Sequence, residues 1–169
     1  MIVDGPPASG KSTLASTLAP RLELPLLAKD TIKDALMTVL DVPDVEASRQ
    51  VGRAAVLAML AIAAESPIGA VIESNFHRTV AVDDLRVLPG DVVEVFCRCE
   101  PSVSITRYRR RSGTRAPGHF DDIRTDEEIW NEEVGQPVAG GWPVIEIDTS
   151  APVDVDRLVE RIRDVRTAD

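Results

Sequence analysis

A glycine-rich stretch near the start of the sequence, GPPASGKST (residues 5–13), carries residue types suited to binding phosphate. It matches the pattern G-x-x-x-x-G-K-[ST], with Gly5, Gly10, Lys11 and Ser12 at the fixed positions. Glycines let the backbone curl so that successive N–H groups point at a phosphate, and a helix starting there adds its positive end. The stretch predicts a site for ATP, or alternatively GTP, with Ser12 as a ligand of Mg²⁺. The predicted nucleotide contacts are Gly5, Ala8, Ser9, Gly10, Lys11, Ser12 and Thr13.

Asp30 is the candidate general base. It ends the apolar run of residues 24–30, a predicted strand, and stands 19 positions after Lys11. Open α/β sheets bind ligands at the carboxyl ends of their strands, where a carboxylate can orient and deprotonate an acceptor hydroxyl. The alternative is that Asp30 only caps the following helix, and local sequence alone does not separate the two. Lys33, one turn on, is a candidate contact for substrate or phosphate, with a plain surface lysine as its alternative.

Polar residues also follow the apolar run within residues 68–76, IGAVIESNF, which is the predicted central strand of the sheet. Glu73 is a candidate to hold Mg²⁺ through water, and Asn75 to hydrogen-bond the substrate. The alternative is that they merely mark where a buried strand emerges. Arg78 is a weaker candidate contact for an anion.

Five of the nine residues from 107 to 115 are arginines. Arginines that close over the transferred phosphoryl group stabilise its developing charge, and a lid excludes water. For any single arginine the alternative is a solvated helix face, and Arg109 is the first candidate for that role. Arg107, Arg110 and Arg111 share one predicted helical face, and Arg115 lies in the following loop; Arg107, Arg111 and Arg115 are the predicted catalytic arginines.

His119 lies in the same segment, beside Asp121 and Asp122. It is a candidate substrate contact, although we favour a role in stabilising the loop. The predicted lid spans residues 107–124.

The elements that must position these residues alternate along the chain. Strands are predicted within residues 1–5, 24–30, 68–76, 91–99 and 142–148, and helices within about 10–22, 31–40, 46–65, 82–88, 102–112, 126–134 and 154–165. Such alternation indicates a three-layer α/β fold with a mainly parallel sheet in one domain, residues 1–169. The alanine-rich helix 46–65 is apolar on nearly every side and is expected to be mostly buried. Residues 113–122 have the composition of a mobile loop.

Composition narrows the class of protein. The chain has 169 residues, a net charge of −9 and 4% aromatic residues. An acidic surface repels phosphodiester backbones, which disfavours a general nucleic-acid binder. With no signal-peptide pattern, and with its longest apolar run only Ala54–Ala64, the chain is expected to be cytoplasmic and not membrane-bound. Cys97 and Cys99 are expected to be reduced, half-buried thiols.

Taken together, GPPASGKSTLA, LLAKDTIKDAL, VIESNF, the arginine-rich helix with RAPGH, and IDTSAP resemble the AAA_33 group of P-loop kinases, which includes polynucleotide 5′-hydroxyl kinase, chloramphenicol phosphotransferase and zeta toxins. The resemblance covers nearly the whole chain. It implies an adenylate-kinase-like fold with a five-stranded sheet and transfer of the γ-phosphate of ATP to a hydroxyl. It favours catalysis by Asp30 and places the loop with Asp148 and Thr149 beside the adenine.

The sequence thus favours an ATP-dependent kinase acting on a hydroxyl of a small molecule, such as a nucleoside, a sugar or an antibiotic. A polynucleotide 5′-hydroxyl kinase is the nearest alternative, disfavoured by acidity and by the few aromatic residues available for base stacking. A nucleotide-dependent regulatory module with little turnover is the third interpretation. Asp30 and the arginine cluster argue against that third interpretation.

Overall fold

The computed structural model describes residues 1–167 and forms one five-stranded parallel sheet. The strands are β1 (Ile2–Asp4), β2 (Leu26–Ala28), β3 (Val71–Glu73), β4 (Glu94–Arg98) and β5 (Val144–Asp148). Their order across the sheet is β2-β3-β1-β4-β5, and every neighbouring pair is parallel. The strand that leads into the glycine-rich stretch is therefore central, and all five carboxyl ends meet at one edge.

Helices connect these strands and cover the sheet. They are α1 (Lys11–Arg21), α2 (Lys29–Met37), α3 (Val45–Glu65), α4 (Arg78–Leu85), α5 (Pro101–Arg111), α6 (Asp126–Ile129), α7 (Glu132–Gly135) and α8 (Val155–Thr167). Between α5 and α6 the chain forms three single 3₁₀ turns, Ser112–Thr114, Pro117–His119 and Asp121–Ile123.

Two hydrophobic cores lie on opposite faces of the sheet, because successive side chains of a strand point to opposite sides. On one face Val3 packs with side chains of α1 and α8. On the other face Ile2 packs with Met59 of α3 and Leu85 of α4. This arrangement confirms the predicted three-layer α/β fold with a five-stranded parallel sheet.

Several local expectations were wrong. The strand that carries Glu73 lies beside the central strand rather than at the centre. Helix α2 starts at Lys29 after an extended Ala28, so Asp30 sits in the first turn and does not cap it. A carboxylate in that position still complements the positive end of the helix dipole.

Helix α3 is buried on one side only. Val51, Ala55 and Met59 lie in the core, whereas Leu57 is 49% exposed and Ile62 is 52% exposed. Alanine is small and mildly apolar, so a composition rich in it did not define which face packs.

Other differences are smaller. Cys97 and Cys99 are free thiols as expected, but both are fully buried rather than half-buried. The segment 113–122, expected to be a loop, contains 3₁₀ turns, and the helix expected at 126–134 is divided into α6 and α7. Within the described residues, no helix is both long and apolar enough to cross a bilayer.

Candidate active site

The loop between β1 and α1 has a backbone that only small residues permit. Gly5 has φ +147°, and a Cβ added there would lie 2.6 Å from the carbonyl oxygen of Cys97. Gly10 has φ +93° and precedes α1 directly. Ala8 adopts φ +59°, a left-handed conformation that strains a residue with a side chain. Among the described residues no side chain caps α1, which leaves its first N–H groups without a side-chain acceptor.

Two polar side chains of this loop have unmet hydrogen-bonding capacity. Lys11 is 6% exposed, and its Nζ donates to the carbonyl oxygen of Pro6 at 3.0 Å. Burial lowers the pKa of Lys11, and the carboxylates Glu73 and Asp30 oppose that shift. The buried Oγ of Ser9 has no partner among residues 1–167. Buried donors left this way fit an anionic ligand, as a nucleotide phosphate would be.

Asp4 is a functional candidate that the sequence reasoning missed. It is fully buried at the end of β1, and its Oδ1 accepts from the backbone N–H of Gly5 at 2.6 Å and of Phe76 at 2.9 Å. Its Oδ2 has no hydrogen-bond partner in the described chain. Burial, reinforced by Glu94, raises the pKa of Asp4 to about 7. The available signal was a carboxylate ending an apolar strand directly before the glycine-rich loop.

Asp30 lies where β2 passes into α2, with Lys29 Nζ 2.7 Å from its Oδ1 and Arg115 Nη2 2.7 Å from its Oδ2. Burial alone would raise the pKa of Asp30, but Lys29, Arg115 and Lys11 outweigh it and hold the pKa well below its usual range. Asp30 is therefore ionised at neutral pH. A charged carboxylate is the state required of a group that accepts a proton from a hydroxyl.

Arg115 connects Asp30 to the segment that follows α5. Its Nη1 donates to Asp121 at 3.0 Å, and its Nη2 also reaches Nδ1 of His119 at 2.7 Å. Burial lowers the pKa of His119 although Asp34 opposes it, which favours a neutral ring that donates from Nε2 to Asp34 at 2.6 Å. His119 thus contacts its own segment and α2, in keeping with the loop-stabilising interpretation.

The arginines of α5 separate into different environments. Arg111 is half-buried with its guanidinium 5.2 Å from the ring centroid of Tyr108, and Arg107 donates to the carbonyl oxygen of Thr149 at 3.2 Å. Arg109 pairs with Asp126 at 2.8 Å, as expected for a surface arginine. Arg110 is exposed and lines neither of the two cavities that adjoin the glycine-rich loop. The shared helical face therefore brings only Arg107 and Arg111 to the site.

Two cavities meet at the glycine-rich loop. One, of about 540 Å³, runs over Gly10 and Thr13 toward Thr149 and Pro152. The other, of about 560 Å³, lies between α2, α3 and the segment after α5. Both are lined by Lys11, Ser12 and Arg111. We call them the nucleotide cavity and the acceptor cavity.

The remaining predicted site residues divide into those that line one of the two cavities and those that do not. Those in the acceptor cavity are Asp30, Lys33, Glu73, Asn75, Arg115 and His119. Arg78 is exposed at the start of α4 and does not line it. Thr149 lines the nucleotide cavity, whereas the exposed Asp148 does not and accepts from the N–H of Ser150 at 2.8 Å.

Ser12 and Glu73 offer the hydroxyl and carboxylate oxygens that Mg²⁺ prefers. Ser12 is exposed, and Glu73 is buried at the wall of the acceptor cavity. No cluster of three or more His, Cys, Asp or Glu capable of holding a metal occurs in residues 1–167. A cation here fits only with phosphate oxygens and water completing its shell, which is the usual situation of Mg²⁺ at nucleotides.

Comparison with known proteins gives a matching family model and similar solved structures. A family model described as an AAA domain, AAA_33, matches residues 1–134. A candidate kinase from Chloroflexus aurantiacus is 30% identical, with 96% of this chain and 95% of that chain covered and a TM-score of 0.83. No curated protein matches the sequence.

More distant solved structures share the fold. A shikimate kinase from Acinetobacter baumannii in complex with shikimate is 17% identical, covers 99% of this chain and 92% of its own, and has a TM-score of 0.63. A deoxyadenosine kinase from M. mycoides is 15% identical, covers 99% and 98%, and has a TM-score of 0.59. At these identities the likeness concerns the three-layer P-loop fold alone.

Proposed function

The chain belongs to the AAA domain family AAA_33, and we propose that it is an ATP-dependent kinase that transfers the γ-phosphate to a hydroxyl of a small molecule. One observation carries this proposal. An ionised Asp30 lines an acceptor cavity that shares Lys11, Ser12 and Arg111 with the nucleotide cavity. A hydroxyl beside Asp30 and a phosphate at Lys11 would then face one another.

In the proposed mechanism the backbone between Gly5 and Lys11 cradles the phosphates of ATP. Lys11 leaves the carbonyl of Pro6 and binds the β- and γ-phosphates. Ser12, and Glu73 through water, would hold Mg²⁺, which would neutralise phosphate charge. Thr149 and its loop line the part of the nucleotide cavity in which the adenine of ATP would lie.

Asp30 accepts the hydrogen bond of the acceptor hydroxyl and takes its proton as the new O–P bond forms, the bond between the γ-phosphorus and the β,γ-bridging oxygen breaks, and ADP leaves. The hydroxyl donates to Oδ1 of Asp30, which is ion-paired with Lys29 but has no hydrogen-bond partner among residues 1–167, while Arg115 stays on Oδ2. Lys29 and Arg115 keep Asp30 ionised and able to accept the proton. Arg111 and Arg115 then lie close to the transferred charge and stabilise it.

The test is ATP turnover against nucleosides, sugars, hydroxy acids, aminoglycosides and 5′-hydroxyl oligonucleotides. Asp30→Asn should lower kcat about 10²- to 10⁴-fold on any acceptor that wild type phosphorylates, since Asn cannot accept the proton. Asp41→Asn, which removes an exposed carboxylate, is the matched control. Turnover by Asp30→Asn equal to that of the control excludes the base role. Nucleotide binding without phosphorylation of any acceptor favours the regulatory module.

A further inference from the structure

The acceptor cavity has a charge opposite to that of the whole chain. Eight lysines and arginines line it against five carboxylates, whereas the whole chain carries a net charge of −9. Lys11 and Arg111 also line the nucleotide cavity and are committed to phosphates in the proposed kinase. The remaining lysines and arginines line only the acceptor cavity, so they are available to contact the acceptor and not the nucleotide.

Four of these remaining cations already have carboxylate partners. The pairs are Lys29 and Arg115 with Asp30, Arg49 with Glu128, and Arg53 with Asp84. Paired charges contribute little net field, so they do not by themselves define what the cavity binds. Lys33 is left, together with Arg124, whose only ion pair in the described chain is a 3.9 Å contact with the same Glu128 that binds Arg49.

Lys33 is a buried cation with only a neutral hydrogen-bond partner. It is 5% exposed, and its Nζ donates to Oγ of Ser48 at 2.6 Å. The hydroxyl of Ser48 donates in turn to the carbonyl of Gly118 at 2.6 Å, so it has no negative charge to offer. No carboxylate oxygen of residues 1–167 lies within 4.0 Å of Lys33 Nζ. An ammonium has three N–H donors, which leaves Lys33 with unused donors at the cavity wall.

The surroundings of Lys33 are net repulsive. Burial, together with the nearby cations Lys29, Arg115 and Arg124, lowers the pKa of Lys33 to about 8, although Asp30 opposes the shift. Arg124 has one carboxylate within reach, Glu128 at 3.9 Å, which already binds Arg49 at 3.0 Å. A buried cation without a counter-charge is unfavourable and is relieved when an anion arrives.

We propose that the acceptor bears an oxyanion, a carboxylate or a phosphate, as well as the hydroxyl that is phosphorylated, and that Lys33 and Arg124 bind this oxyanion. The inference rests on the proposed kinase function, since it identifies the class of acceptor for the same cavity. A neutral sugar or nucleoside leaves Lys33 without a counter-charge. A polycationic antibiotic is repelled by it.

The first experiment needs no knowledge of the acceptor. Inorganic phosphate is titrated into the protein while a saturating non-hydrolysable ATP analogue with Mg²⁺ occupies the nucleotide cavity, and the melting temperature is recorded. Wild type should be stabilised with a saturable dependence on phosphate. Lys33→Met should lose this stabilisation and Lys33→Arg should retain it. Arg161→Gln, which removes an exposed cation on α8, is the charge-matched control and should behave as wild type.

Equal stabilisation of wild type and Lys33→Met, or no stabilisation of wild type, overturns the proposal. This readout does not depend on turnover. Failure of the kinase function, seen as no phosphorylation of any acceptor, is therefore distinguishable from failure of the oxyanion site.

The second experiment identifies which oxyanion is used. Glucuronate and glucose 6-phosphate are each compared with glucose for binding to the protein loaded with the analogue. The preferred anion should bind about 10- to 100-fold more tightly than glucose, the range expected of one or two charge-assisted hydrogen bonds. Lys33→Met should reduce that ratio toward one. Tighter binding of glucose than of both anions contradicts the proposal.

Discussion

At the scale of single residues, Asp4 shows how strongly a site can depend on one carboxyl. It joins the first N–H of the glycine-rich loop to the N–H of Phe76, just after β3. The loop that would hold phosphate and the segment that carries Asn75 therefore share one anchor. With its pKa raised to about 7, Asp4 changes charge near neutral pH.

The folded protein retains the proton of Asp4 between about pH 4 and pH 7, where the unfolded chain has released it. Because the native state binds more protons in this window, the free energy of unfolding falls as pH rises through it. Asp4→Asn keeps the acceptor oxygen and has no proton to lose. The melting temperature of Asp4→Asn relative to wild type should therefore rise from about pH 4 to about pH 8.

Thermal unfolding at several pH values measures this difference. Asp41→Asn serves as the control for loss of one surface carboxylate. A gap between Asp4→Asn and wild type that is constant with pH shows that Asp4 does not titrate in this window.

Arg111 is the arginine that both cavities share. If it stabilises charge only in the transition state, Arg111→Ala should lower kcat by about 10²- to 10³-fold and change nucleotide affinity much less. Steady-state kinetics and a nucleotide titration measure the two effects. Arg110→Ala, the exposed neighbour outside both cavities, should stay near wild type. A loss of affinity as large as the loss of kcat assigns Arg111 to ground-state binding instead.

At the scale of elements, the segment after α5 is tied to α2 and α3 rather than free. Ser48 of α3 donates to Gly118, and Asp34 of α2 accepts from His119. Tyr108 of α5 donates to Asp121 at 2.6 Å. Polar contacts of this kind can be exchanged for ligand contacts, which is compatible with the proposed lid over residues 107–124.

The connection between α7 and β5 depends on a buried carboxylate of β4. Glu94 is fully buried and accepts from the N–H of Val138 at 2.7 Å, the N–H of Ala139 at 2.9 Å and Nε1 of Trp142 at 2.7 Å. In Glu94→Gln an N–H₂ group replaces one carboxylate oxygen. This group cannot accept a hydrogen bond, so it leaves at least one of the three donors without an acceptor. Glu94→Gln should therefore lower the free energy of unfolding by about 2–4 kcal/mol.

Denaturant unfolding measures the effect of Glu94→Gln. Glu160→Gln, on the exposed side of α8, is the control and should change stability by less than about 0.5 kcal/mol. A loss no larger than that of the control shows that the three donors find other partners.

At the scale of the whole molecule, the features predicted correctly from the sequence are those that depend on local pattern. Alternating apolar runs and helices were enough for the parallel sheet, because each βαβ unit forces neighbouring strands to be parallel. Motif spacing pointed to Lys11, a strand end to Asp30 and a shared helical face to Arg111, and all three line the acceptor cavity. Partners across the fold could not be predicted: Arg115 reaches Asp30 over 85 positions of sequence, and Lys33 donates to Ser48 of α3, which in turn donates to Gly118.

The charge of the whole molecule bears on the polynucleotide alternative. A net charge of −9 for the whole chain, combined with a cationic cavity, favours a small anion over a long one, because a polynucleotide must pass its further phosphates along the acidic surface. We therefore expect a labelled 5′-hydroxyl 20-mer to show no binding by fluorescence anisotropy up to about 100 μM protein at low salt, where non-specific binding to basic proteins is strongest. A mononucleotide with a free 5′-hydroxyl, carrying one phosphate, is the matched short ligand. Binding of the 20-mer that tightens as salt is lowered would show a phosphodiester path on the surface and favour the polynucleotide kinase.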